Sequence, residues 1–246
     1  MAGGLAEAPG RADVLGVAEV LRAKLGEAGN PRRASEAAAL AQVLSERSLK
    51  TYPSKRAIAC GRGCNYCCHG LVAVMPPEAF RIAGAIRAGR AAGLDGDTVR
   101  QRAEPLRGLT PAERVGRKLP CPLLVEGECG AYAERPLVCR QTTSLSLPAC
   151  IEEYEGHDRN GTIEISSTHL AHASNAHVAL IGAMLAVGLP TEAYELGAVL
   201  EIALGDPSSE ARWLAGESVF EALAVSMPRQ WQVDTVAKRI AEELTA

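Results

Sequence analysis

The chain is poor in aromatic residues, which fill only 4% of its 246 positions. It also lacks long β-branched runs, while alanine and leucine are plentiful. That combination favours helices over sheets. Charge of either sign is not in excess: 26 Lys and Arg stand against 29 Asp and Glu, a formal net charge of −3. Proteins that bind nucleic acid carry a clear basic surplus, so no nucleic-acid partner is expected. No stretch approaches the length of uninterrupted apolar sequence that a membrane-spanning helix needs, so no membrane partner is expected either. The opening residues, Met1 to Gly10, hold no basic stretch followed by an apolar one, as a secretory leader would. The expected compartment is therefore the cytoplasm, where thiols stay reduced. The chain shows no phosphate-cradling loop, dinucleotide fingerprint or Ser-His-Asp set, so no catalytic acid, base or nucleophile is named.

What the chain does hold is cysteine. Of eight in all, four fall within Cys60-Gly-Arg-Gly-Cys64-Asn-Tyr-Cys67-Cys68-His69, and the others are Cys121, Cys129, Cys139 and Cys150. In a reducing compartment, clustered cysteines are metal ligands more often than disulfides. Thiolate is a soft donor that suits zinc or iron. Four thiolates satisfy one tetrahedral zinc or hold one iron–sulfur cluster, so eight can serve two sites, or one with spares. Gly61 and Gly63 give the loop the freedom to curl. In an extended pair, adjacent side chains point to opposite sides, so Cys68 is expected to serve a second centre or one wall of a polynuclear one. Arg135 and Arg140, with Arg62 a weaker third, stand where a guanidinium can donate to sulfur and offset thiolate charge. His69, directly after the cluster, is a candidate nitrogen ligand.

Three further histidines fall on a helix expected over Thr168 to Val187. His169, His172 and His177 share a broad face away from Leu170, Val178, Ile181 and Leu185. We read that face as polar surface. The alternative is that His169 and His172, three residues apart, bind a metal. His157 has no argument beyond its residue type.

The pattern predicts a mainly α fold: an irregular cysteine-rich metal-binding module with short strands, flanked by helical N- and C-terminal segments. Residues 1–51 read as a loose tail of about eleven residues and a helical hairpin, with helices from about Ala12 to Gly26 and Ser35 to Leu49, Leu40, Val43 and Leu44 facing inward. Residues 52–160 form the cysteine module. Within it, Leu71 to Met75 is a strand or buried linker, Pro77 to Ala92 a helix, and 95–118 one or two more helices with a capping box at Thr110 and Glu113. A short strand is expected at Leu123 to Val125, turning at Glu126-Gly127, and another at Thr162 to Ile165. Cys150 is expected to follow a Ser/Thr-rich loop. Residues 161–246 form a helical segment, with helices after the long one near Thr191–Leu204, Ser208–Ala224 and Val233–Leu244. The three parts are expected to make one compact unit.

Cys60-x3-Cys64-x2-Cys67-Cys68, with Cys121-Pro122-x-Leu124, Cys129, Tyr132, Arg135-Pro136 and Cys139-Arg140 downstream, resembles the bacterial zinc- or iron-chelating cysteine-cluster family, CxxCxxCC. The likeness runs from about Ala59 to Cys150. It implies metal chelation and no single reaction. Some flagellin lysine methylases carry a similar cluster, which adds a protein- or peptide-modifying enzyme to the readings beside an oxidoreductase. Cys60-x3-Cys64-x2-Cys67 alone, with Tyr66 before its last cysteine, is similar to the radical S-adenosylmethionine motif, but those enzymes continue with alternating strands and helices that this chain lacks. A structural zinc-binding interaction module is the non-enzymatic reading. Zinc sites usually come as two CxxC-like knuckles, which these gaps match poorly. An iron–sulfur cluster (4Fe-4S) or thiolate-bound iron is therefore preferred, with zinc as the alternative. The substrate is left as an unidentified protein or small molecule.

Overall fold

Alanine decides how the first helices pack. In α1 (Arg11–Leu25), Ala18, Leu21 and Leu25 are buried. In α2 (Arg33–Thr51), the buried face is Ala34, Ala37, Ala38, Ala41, Gln42 and Ser45. The expected inward residues of α2 sit elsewhere: Val43 is 60% exposed, and Leu40 and Leu44 are only partly buried. Small side chains let backbones approach closely, so here the alanine stripe, not the larger apolar residues, faces in. The chain is described from a computed structural model over residues 11–156, 163–220 and 230–246. Most of the expected N-terminal tail lies outside them.

After α2 the chain runs irregularly to a tight 3-10 turn, Tyr66–His69, and then to β1 (Ala73–Val74). The helix α3 (Pro76–Arg87) begins on its paired prolines and stops well short of the expected Ala92, because Gly89 turns the chain with φ +66°. Next come α4 (Gly96–Ala103), capped by the Asp95 carboxylate, and α5 (Pro111–Arg117), which carries the expected Thr110/Glu113 capping box. β2 (Leu124–Val125) and β3 (Glu128–Cys129) form a hairpin. Its turn residues, Glu126 (φ +49°) and Gly127 (φ +83°), are both left-handed, as a two-residue hairpin turn requires.

Two short helices stand where loop was expected: α6 (Leu137–Gln141) and α7 (Leu147–Glu155). The strand expected over Thr162 to Ile165 is not formed at 163–165, although the Glu164 carbonyl accepts a bond from Leu145 N; Thr162 lies outside the described residues. α8 (Ser167–Ala186) follows as expected. The helix expected from Thr191 starts late, because Tyr194–Glu195 first forms β4, antiparallel to β1, with Val74 opposite Tyr194. Glu195 then caps α9 (Leu196–Gly205) by accepting from Ala198 N. α10 (Ser209–Leu214) ends early, and residues 221–224 of the helix expected there lie outside the described residues. α11 (Gln230–Thr245) closes the chain.

α8 is the central element, packed by α1, α2, α6 and α11. At Gly182 α11 approaches closely: a Cβ there would meet Ile240 at 2.6 Å. A single buried core draws on all three parts of the chain, with Leu21, Leu123 and Leu180 among its members. Because α2 packs beside His172 and the other two histidines are partly buried, the histidine face of α8 is not the polar surface face expected. His172 is 1% exposed, stacks on Tyr52 at 4.3 Å, and places Nδ1 3.0 Å from Ser48 Oγ. Burial pushes the His177 imidazole below its ordinary 6.5. A buried base held neutral contributes stability above its unfolded value and loses it as the pH falls below that value. Urea midpoints measured between about pH 5 and 8 should therefore drop on the acid side. His177→Gln should flatten that drop, and an unchanged slope in the variant would remove His177 from the account.

Candidate metal centre

The first cysteine group sits on an irregular loop held by few bonds. Ala59 N donates to Ser144 O at 2.9 Å, and Cys60 Sγ accepts from Ser144 N at 3.2 Å. Gly63, with φ +89°, makes the turn that brings Cys64 N onto Gly61 O. Cys67 and Cys68 lie in the 3-10 turn, so they are not the extended pair expected. Their thiols are hydrogen-bonded to each other, so they are not turned apart as an extended pair would be.

The second group is brought against the first by backbone. Cys121 N donates to Cys68 O at 2.7 Å, and the β2–β3 hairpin carries Cys129 beside it. Asn65 Nδ2 reaches Gly127 O at 3.0 Å, and Arg62 pairs with Glu128. Gly130 is required where the chain doubles back, because a Cβ there would lie 2.5 Å from Ala92 O. Cys139 is placed by α6. The fully buried Glu78 carboxylate accepts from Met75 N at 3.0 Å and Leu137 N at 2.7 Å, joining the starts of α3 and α6.

Seven cysteines (Cys60, Cys64, Cys67, Cys68, Cys121, Cys129 and Cys139) line one cavity of about 620 Å³, with Tyr132, Arg135, Arg140 and His169. An adjoining cavity of about 280 Å³ is lined by Cys60, Cys64, Cys67 and Cys150, with His69 and Tyr154. All eight thiols are free. Among the described residues, no three Cys, His, Asp or Glu side chains form a preassembled ligand set. The thiols line shared walls, and ligation would draw them together.

Electrostatics differ across the group. The Cys67 thiol is lowered to about 7, first by a hydrogen bond from Cys68 and further by Arg135. Cys68, which donates that bond, is held protonated. Burial pushes Cys121 up to about 12 and raises Cys139 well above the ordinary thiol value. Cys60, Cys64 and Cys129 are raised by burial too. A buried thiol resists ionisation by itself, whereas a metal cation reverses that preference and deprotonates it.

The predicted arginines separate. Arg135 lies over the Tyr132 ring at 4.1 Å and favours the thiolates of Cys67 and Cys129. Arg140 is 4% exposed and its nitrogens are taken elsewhere, by Arg135 O, Ala133 O and Glu46. It therefore clamps the chain around α6 and does not donate to sulfur. The histidines separate as well. His69 faces the smaller cavity, its Nδ1–H donating to Asn65 O at 3.2 Å. His169 faces the larger one, its Nε2–H donating to Arg140 O at 2.9 Å. His172 lines a different cavity, beside Ser48 and Tyr52, so the His169/His172 pair does not meet at the thiols. His157 lies outside the described residues.

Sequence reading missed three residues. Glu78 carried a signal, since the third position after a helix start is where a capping acid sits. Arg114 and Glu195 carried none. Arg114 is 2% exposed, with Nη1 3.6 Å from Glu195 Oε1, and no guanidinium nitrogen has a hydrogen-bond partner among the described residues. This buried cation lies close enough to Cys121 to favour its thiolate against the larger effect of burial.

Soft donors grouped on shared walls, with cations beside them, match zinc or iron. Residues 59–162 match the family model CxxCxxCC, described as a "Putative zinc- or iron-chelating domain". No curated protein and no solved structure matches the chain.

Proposed function

With a zinc- or iron-chelating module over residues 59–162 as the premise, we propose that the chain is a cytoplasmic iron protein. Its thiolates hold an iron–sulfur cluster or thiolate-bound iron, and its larger cavity admits a small molecule or a peptide side chain for redox or modifying chemistry. The observation that carries this reading is the cavity: seven cysteines line about 620 Å³ of space. A purely structural site closes its coordination shell, whereas a reactive one keeps a position open. The volume is within the range of small-ligand sites. Bound iron would supply electron transfer or a Lewis-acid position. Arg135 offsets the charge of the thiolates. His169 faces the same space and donates through Nε2 to Arg140 O.

The fold weighs against a radical S-adenosylmethionine enzyme, which would surround its cluster with a partial barrel of strands and helices. Among the described residues, the strands are two pairs of two residues. No described helix is long and apolar enough to cross a membrane.

Protein purified without oxygen should be brown and contain iron with acid-labile sulfide, and cyanide or a small thiol should shift its visible spectrum. Iron without sulfide would select thiolate-bound iron. A colourless chain with stoichiometric zinc, indifferent to added ligand, would overturn the reading in favour of a structural zinc module.

A further inference from the structure

We propose that the eight cysteines form two separate four-thiol centres: an outer one of Cys60, Cys64, Cys67 and Cys150, and an inner one of Cys68, Cys121, Cys129 and Cys139. The division rests on the metal-binding reading above and adds to it where the boundary falls. That boundary is the peptide bond between Cys67 and Cys68.

The cavities carry the argument. Of the eight cysteines, only the four of the outer set line the smaller cavity. Cys68, Cys121, Cys129 and Cys139 face only the larger one. The neighbour relations agree. Cys60 feels the charge of Cys64, Cys67 and Cys150, while Cys68 feels Cys121 and Cys139 besides its partner Cys67. Cys139 feels Cys121, Cys67 and Cys129. Cys67 thus touches both groups and lies at the seam. The Cys67 and Cys68 thiols are hydrogen-bonded to each other, so the two centres meet at this pair.

Different elements build each set. The inner set is tied by the Cys121 N to Cys68 O bond and by the β2–β3 hairpin, with the buried Arg114–Glu195 pair behind it. The outer set is closed by α7, which brings Cys150 and packs Tyr154 against Tyr66 and His69 at 5.6 and 4.9 Å. His69 donates through Nδ1, so its Nε2 lone pair is left unused on the wall of the smaller cavity. A centre on an exposed loop gives up its metal sooner than one beside the buried Cys121.

The test counts metal per chain in full-length protein purified without oxygen, alongside helical circular dichroism. Cys150→Ser and Cys121→Ser should each retain about half of the wild-type metal, and the double variant none. A chelator should empty the wild type in two stages, and Cys150→Ser should lack the fast stage. If Cys121→Ser loses helical signal, Cys129→Ser at the hairpin end takes its place. A loaded wild type whose folded single variants lose all metal, or none, overturns the division alone. A wild type that takes up no metal overturns the division and the functional reading together.

Discussion

Cys64→Ser is expected to open residues 52–71 and α7 to hydrogen exchange while α1, α2, α8 and α11 keep their protection. No side chain between Tyr52 and Leu71 is buried, and α7 buries none either. Of these segments only Cys68 packs against the core, and the bonds joining Ala59 to Ser144, Arg56 to Glu164 and Cys121 to Cys68 are too little to offset the entropy of ordering some twenty residues at about 1–2 kcal/mol each. Metal ligation is then what orders them, because the free energy of binding becomes folding free energy where no site exists beforehand. The element α3 is a different case. It lies inside the same cysteine module, but Phe80, Ile82 and Ala83 are buried in the common core, so it should stay protected. Exchange in the loop should rise about a hundredfold or more, equivalent to about 3 kcal/mol of local opening free energy. Removing all metal from the wild type should open the same segments and, beyond them, the walls around the inner thiols. Protection of 52–71 that is unchanged in metal-free protein would show that the loop orders itself.

Glu78→Ala should lower global stability by about 3–5 kcal/mol. The side chain is fully buried and bridges two backbone donors, Met75 N and Leu137 N. Hydrogen bonds to a charged group are worth about 1.5–3 kcal/mol each, and truncation leaves both N–H groups buried and unpaired. The carboxylate also faces the positive end of α3. Glu78→Gln keeps one acceptor oxygen and should cost about half as much. Because Leu137 N starts the helix that carries Cys139, the alanine variant should also lose metal. Urea melts read the first effect and metal analysis the second. A loss below about 1 kcal/mol would mean that solvent or a rearranged loop replaces the carboxylate.

The chain announces its long helices and its thiols. The capping box at Thr110 and the Glu126-Gly127 turn follow from local rules, and the structure has both. The inward face of α2 was hidden because alanine has no strong preference for either side until a neighbouring helix approaches. Short helices such as α6 hold too few residues to show a period. The histidines of α8 look like a solvated face on a helical wheel; only the packing of α2 beside them, with Ser48 and Tyr52 reaching across, shows otherwise. The Arg114–Glu195 pair joins α5 to β4 across the chain, and nothing local distinguishes that arginine from its surface neighbours. Cysteine identity was therefore legible and cysteine grouping was not, since the grouping depends on which walls the hairpin and α7 bring together.

The pairing of Val74 with Tyr194 bears on the order in which the chain can be completed. Every cysteine precedes Tyr194, so a growing chain exposes all eight thiols before it has made the strand that lies against β1. Leu196, whose amide bonds to Val72 O, also lines the larger cavity, so one wall arrives last. A fragment cut at residue 162 would keep every thiol and the whole family match while losing that wall and the central helix. Such closures over long stretches of sequence form late. The wall that Leu196 adds over the inner thiols thus closes only after every cysteine has been made.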